Sequence, residues 1–162
     1  MLLNKVPEIK SIPDLKLVGI RTTMSLANDK TAVLWQKFMP ERNKIVNGVN
    51  SDLFDVQIYD QEIDFKNFDS NTEFEKWSAA EVSDHGHIAR GMEPLIIPGG
   101  KYAVFIHRGT ADEAQQIFRY IYAVWLPGSE LNLDNRPHFQ ILKEGYRPDN
   151  PESEETIWIP VI

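Results

Sequence analysis

Apolar and polar residues recur with two different periods along this chain, and the helical period is the easier to see. In TADEAQQIFRYIYAVWLPG, residues 110–128, Ala114, Ile117, Phe118, Ile121 and Trp125 fall at helical spacing and predict one apolar stripe. Thr110 and Glu113 stand in the S/T-x-x-E relation that satisfies two orphan amides reciprocally. Pro127-Gly128 ends the pattern. Ahead of it, KYAVFIH (101–107) is rich in β-branched and aromatic residues and follows the turn pair Gly99-Gly100, which predicts a strand. HFQIL (138–142) and TIWIPVI (156–162) predict two more, so this half reads strand, helix, strand, strand.

The first half follows the same order. KLVGIRT (16–22) predicts a strand. A helix follows, capped near Asn28 or Asp29, carrying Val33, Leu34, Trp35 and Phe38 and kinked or ended by Pro40. FDVQIYD (54–60) and FEKWSAAEV (74–82) complete the set. Within these segments VQIY aligns with FQIL, matching Gln57 to Gln140, and EKWSA aligns with TIWIP, matching Trp77 to Trp158. The chain thus predicts an α+β fold of two duplicated β-α-β-β halves, about 15–82 and 100–162. The halves would most simply pack as one antiparallel sheet, or a closed pair of sheets, with both helices on one face.

Strand alternation divides the candidate residues. The expectation is that Val56, Ile58, Phe139, Ile141, Ile157 and Ile159 face the helices, as the more apolar set. Gln57, Tyr59, His138, Gln140, Leu142 and Trp158 then fall on the opposite face, where aromatics mix with uncharged polar groups. That mixture suits a small-molecule site, whose apolar walls give affinity and whose few polar atoms set orientation. The expected wall is Tyr59, Tyr102, Trp77 and Trp158, with Gln57, His138 and Gln140 as polar contacts. Trp35 and Trp125 are expected as core anchors on the helices.

Composition narrows the chemistry. With 162 residues, 42% of them hydrophobic, the chain can bury a sizeable core. Its net charge of −7, with 17 scattered basic residues, argues against direct nucleic-acid binding. The absence of cysteine excludes disulfides, thiolate metal sites and cysteine nucleophiles. In DHGH, His85 and His87 could chelate, but a zinc site needs a third protein ligand, so no metal or cofactor is expected. His107 ends a strand before Arg108-Gly109, where a hydrogen-bonding role at a turn is the simpler reading. The amino-terminal MLLNKVPEIK is broken by Asn4, Lys5 and Pro7 before a signal-peptide core can form, and no apolar run spans a membrane. A cytoplasmic protein is expected.

Four segments in order carry a family resemblance: Tyr102-Ala103-Val104-Phe105-Ile106-His107-Arg108-Gly109, Trp125-Leu126-Pro127-Gly128-Ser129, Pro137-His138-Phe139-Gln140-Ile141-Leu142 and Ile157-Trp158-Ile159-Pro160. From about Leu15 onward the chain resembles the gyrase-inhibitor-like small-molecule-binding domains, the effector-binding domains of AraC-type and multidrug-responsive transcription regulators. The resemblance implies a pocket between the halves for hydrophobic, often cationic, molecules. It also implies that residues 1–162 form one effector-binding domain. About fourteen residues precede the first strand, too few for a DNA-binding domain, so a stand-alone module is expected.

The family strand P-x-F-E carries a carboxylate that pairs with cationic drugs and serves as acid/base in hydrolase members. Here the position is Gln140, which can donate and accept hydrogen bonds but cannot shuttle a proton at neutral pH. Leu142 stands where the family has tyrosine. Glu75 and Glu154 are the candidates for a displaced carboxylate. The leading expectation is a non-enzymatic module for a hydrophobic or aromatic molecule. The alternatives are a hydrolase of electrophilic genotoxins such as cyclopropanes and a protein-interaction role such as gyrase inhibition.

Overall fold

The computed structural model describes residues 1–60 and 67–162. Eight antiparallel strands form one sheet: β1 (Glu8–Ile12), β2 (Leu15–Met24), β3 (Leu53–Ile58), β4 (Phe74–Glu81), β5 (Glu93–Ile97), β6 (Gly100–Arg108), β7 (His138–Leu142) and β8 (Glu154–Pro160). Helix α1 (Thr31–Phe38) lies between β2 and β3, and α2 (Ala111–Tyr120) between β6 and β7. The six strands and two helices read from the sequence are all present. The edge strands β1 and β5 were not anticipated. Their alternation is short, and Pro94 lacks the N–H that a central strand needs, which suits an edge paired only with β2.

The strand order β1-β6-β8-β7-β3-β4-β2-β5 dictates the shape. Pro13 and Asp14 alone join β1 at one edge to β2 next to the other edge, and Pro98 and Gly99 likewise join β5 to β6. Three Cα steps span at most about 11 Å. A flat sheet would separate strands six places apart by about 29 Å. The sheet must therefore curl until its two ends meet. At the meeting point a Cβ on Gly99 would lie 2.5 Å from the Ile12 carbonyl oxygen, so only glycine fits there. The Gly99 amide also donates to Asp14 Oδ1 at 2.7 Å.

Curling makes the two faces unlike. The inner face holds a single cluster reaching from edge to edge: Leu17, Phe54, Val56, Trp77, Ala79, Ile97, Tyr102, Val104 and Phe139. On the outer face there are two clusters, one under each helix. Phe38 and Trp35 of α1 pack with Val18, Ala80 and Val82, while Ile117 and Phe118 of α2 pack with Ala103, Phe105, Ile157 and Ile159. Both helices share this face, and a convex surface splays them apart over the central β3–β7 pair.

Register makes the duplication explicit. Val56 pairs with Phe139, and the flanking pairs are Gln57 with His138 and Asp55 with Gln140. If Gln57 matches Gln140, then Val56 matches Phe139 and Asp55 matches His138. The local twofold therefore runs through the Val56–Phe139 pair and exchanges its two neighbours. Trp77 is opposite Val56 and Trp158 opposite Phe139, so the two tryptophans are symmetry mates as well.

The same register corrects the expected facing. Phe139 lies across from Trp158, and Gln140 across from Ile157. Ile157 and Ile159 do face a helix, but Val56, Ile58, Phe139 and Ile141 pack on the inner face. Gln57, His138 and Gln140 belong to the helix side. Both faces of the central strands are buried, so their more apolar set need not be the one beneath the helices. A one-residue offset between β7 and β8 reverses the assignments on β3 and β7 and leaves those on β8 as expected.

Candidate functional site

The floor between the helices is built by alternate residues of three central strands. β3 supplies Asp55 and Gln57, β4 Lys76 and Ser78, and β7 His138 and Gln140, all buried. Gln57 Nε2 donates to Gln140 Oε1 at 2.8 Å, and Gln140 Nε2 returns a bond to Gln57 Oε1 at 3.0 Å. This closed amide pair straddles the local twofold, as the matching of the two glutamines in the sequence implies. It joins the halves through four atoms that need no charge.

Asp55 is the carboxylate of this floor. It forms an ion pair with Lys76, accepts from Gln57 Nε2 at 2.8 Å through Oδ1, and accepts from Trp35 Nε1 at 3.2 Å through Oδ2. Trp35, expected as a core anchor, does pack edge-on against Phe38, but its indole N–H turns to the floor. Sequence reasoning missed Asp55 and Lys76. The signal was available, because Asp55 shares the parity of Gln57 in FDVQIYD and a charge in mid-strand needs a partner. Ser78, directly opposite Asp55, is fully buried and its hydroxyl has no hydrogen-bond partner.

Aromatic groups close the other end. Tyr122 and His138 meet through the tyrosine hydroxyl and Nδ1 at 2.6 Å, and Tyr59 packs edge-on to His138 with centroids 4.9 Å apart. Burial pushes the His138 imidazole down to about 3, so the ring is neutral at physiological pH. Burial also raises the hydroxyls of Tyr122 and Tyr59, the latter with help from the Asp55 charge, and keeps both protonated. That suits Tyr122 as donor and Nδ1 as acceptor.

Tyr122 owes its place to a change in helix winding. α2 begins with the expected Thr110–Glu113 capping box, but after Tyr120 it passes into a π-helical turn, Ile121–Trp125, before a last α turn, Leu126–Gly128. A π turn shifts the faces of the residues after it, and such turns recur at functional sites. α1 starts differently. Its N-cap is Lys30 rather than Asn28 or Asp29, and Asp29 Oδ1 accepts from the Thr31 amide at 2.9 Å. A 3₁₀ turn, Met39–Lys44, takes over near Pro40.

Of the expected site residues, Gln57, Tyr59, His138 and Gln140 come together on the helix side of the sheet. Trp77, Tyr102 and Trp158 do not join them. Trp158 stacks on Phe139 at 5.3 Å and Tyr102 meets the same Trp158 at 5.9 Å, both on the inner face. The hydroxyl of Tyr102 donates to the Pro98 carbonyl at 2.7 Å, and Trp77 Nε1 donates to Glu75 Oε1 at 2.5 Å. Their parity is opposite to that of the glutamines, which is the physical reason for the separation.

The two proposed replacement carboxylates are engaged elsewhere, Glu75 with Arg21 and Glu154 with Arg108. His107 is buried against Glu155, with Nδ1 3.2 Å from Oε1, rather than serving an open turn. His85 Nε2 lies 2.8 Å from the Leu17 carbonyl oxygen. Among the described residues no group of three or more His, Asp or Glu could hold a metal ion, and no helix is long and apolar enough to cross a membrane. Two open surface depressions, of about 410 and 600 Å³, lie away from the floor, along 143–154 and beside α2. They are lined mainly by solvated polar and charged side chains, whereas the floor offers buried polar atoms converging between aromatic walls.

Residues 5–162 match the family model of the GyrI-like small molecule binding domain. The transcriptional regulator BrlR of Pseudomonas aeruginosa is 28% identical over 159 residues, which are 98% of this chain and 56% of BrlR, so the chain spans a little over half of that relative. Among solved structures, SAV2435 bound to tetraphenylphosphonium has a TM-score of 0.71 at 16% identity, covering 96% of this chain and 93% of that one. The EcmrR C-terminal domain gives the same score and identity, covering 96% of both chains. At this identity the structural likeness establishes the fold.

Proposed function

The chain belongs to the GyrI-like small-molecule-binding domain family, and we propose that it binds an uncharged, hydrophobic or aromatic molecule in the cleft between α1 and α2. The observation that carries this reading is the reciprocal Gln57–Gln140 pair beside a neutralised Asp55–Lys76 pair. These groups can orient a ligand by hydrogen bonds, and the Asp55 carboxylate beside them is already paired with an ammonium rather than free to select a cation. Trp35, Tyr59 and Tyr122 supply aromatic surface, and the Ser78 hydroxyl is a buried group still lacking a partner.

Binding without turnover is the reading adopted. Hydrolysis needs a group that can exchange a proton, and Asp55, the carboxylate across from Gln140, is already held by Lys76, Gln57 and Trp35. The biological role that fits is effector-type regulation or sequestration, as the kinship with a transcriptional regulator suggests. The test is titration with Nile red, an uncharged fluorescent aromatic, followed by emission and by thermal shift. Saturable one-site binding that is lost when Gln57 and Gln140 are both leucine is expected. Binding that survives this double change would move the site elsewhere, and no binding of Nile red or of other neutral aromatics would defeat the reading.

A further inference from the structure

The halves are related by a local twofold, yet their charges are not. On β4, Lys76 sits opposite Gln57; the matching place on β8, opposite Gln140, is Ile157. The twofold likewise matches Asp55 to His138, which burial keeps neutral. At these matched positions one half therefore has a carboxylate and an ammonium, and the other half has neither. Both charged side chains are close to buried, at 12% exposure for Asp55 and 10% for Lys76. The second half's own buried carboxylate on this side, Glu155, lies opposite Leu142 and contacts His107 rather than an ammonium.

We propose that Lys76 is a resident counter-ion that sets the charge preference of the cleft. Its ammonium takes the place beside Asp55 that the cationic group of a bound molecule would otherwise occupy. This deepens the reading of the cleft as a ligand site and rests on it. A cationic ligand must displace or repel an ammonium already in contact with the carboxylate, and an anionic one meets that carboxylate in turn. Coulomb energies at such separations in a protein correspond to large factors in affinity, so the pair outweighs modest differences in packing. Removing either member would convert the cleft to a site selective for the opposite sign: cations without Lys76, anions without Asp55.

The test uses two ions of the same shape and opposite charge, tetraphenylphosphonium and tetraphenylborate, in displacement of Nile red from the full chain. The readout is the ratio of their affinities, which cancels hydrophobic contributions common to both. Lys76→Met should raise the phosphonium-to-borate ratio by about tenfold or more over wild type, and Asp55→Asn should lower it by about tenfold or more. The double variant should return towards the wild-type ratio, as expected for two groups that act on each other. If Lys76→Met fails to fold, Asp55→Asn reads the same pair from its other member, since asparagine keeps the side-chain shape and a carbonyl oxygen for one of the two donors, Gln57 Nε2 or Trp35 Nε1. A ratio that moves less than about fivefold in a folded single variant, or moves in the wrong direction, overturns the proposal. Nile red binding to wild type with no such change would sink the counter-ion alone. Failure of Nile red and of other neutral aromatics to bind wild type would instead remove the cleft reading beneath it.

Discussion

The inner and outer faces of one sheet are made by alternate residues of the same strands, and they do opposite jobs. The inner face closes on itself because the sheet curls, so Phe139, Trp158 and Tyr102 bury one another without any helix. The outer face is convex, so its two helices each cover one half and leave the central strands to hydrogen-bonded polar groups. The comparison teaches that burial alone does not separate core from site. Tyr102 and His138 are both almost inaccessible, but one packs in a cluster of rings and the other ends a polar network.

The largest expected effect falls on the inner face. Phe139→Ala removes the ring shared by Phe54, Tyr102 and Trp158 and should cost about 4 kcal/mol in urea denaturation. A loss below about 1 kcal/mol would mean that the inner face is loosely packed.

Next comes the outer face's ion pair. Lys76→Met leaves the buried Asp55 without its cation and should destabilise by about 3 kcal/mol, with much of that recovered in the Asp55→Asn/Lys76→Met double variant. Equal stability of the single and double variants would show that the pair is not coupled.

A pH experiment separates the faces in another way. His138 is neutral in the folded protein down to about pH 3, while an unfolded histidine protonates near 6.5. Its contribution is therefore complete above about pH 6.5 and is withdrawn as the pH falls through the window from 6.5 to 3. Comparing unfolding free energies of wild type and His138→Gln, the wild-type value should drop by about 3 kcal/mol more than the variant's between pH 7 and pH 4. A pH-independent difference between the two proteins would contradict the buried neutral ring.

Smaller effects sharpen the boundary of the site. Gln140→Leu strands the Gln57 carbonyl oxygen and should cost about 1–2 kcal/mol, whereas leucine at both positions also removes the Gln57 bond to Asp55 and should cost about 2–3 kcal/mol while abolishing Nile red binding. Smallest of all, Glu154→Gln touches a partly exposed pair with Arg108. It should change stability by less than about 0.5 kcal/mol and leave Nile red affinity as in wild type. A large loss of affinity there would bring the residue back as a ligand contact.

Much was legible in the residues themselves. Helical spacing and the capping box located α2, alternation located six strands, and the paired motifs around Gln57 and Gln140 announced a duplicated fold. The motifs also singled out Gln140, a polar residue between the apolar Phe139 and Ile141. These signals are local, because caps, turns and periodicity act within a few residues of chain. Which face of β3 and β7 meets the helices was not local. It depends on strand order and on the offset between β7 and β8, and so it required the assembled sheet.

For the same reason, Trp77, Tyr102 and Trp158 could be recognised as buried aromatics from sequence but not assigned to the inner face. Asp55 and Lys76 lie on different strands, and only their pairing across β3 and β4 makes one the answer to the other. The sequence by itself determined six of the eight strands, both helices and the duplication. Tertiary structure decided that the Gln140 amide bonds to its own symmetry mate, Gln57, beside an aspartate already paired with a lysine. The physical reason is that a buried polar group takes its meaning from what the fold sets within hydrogen-bonding distance, and here that partner comes from the other half of the chain.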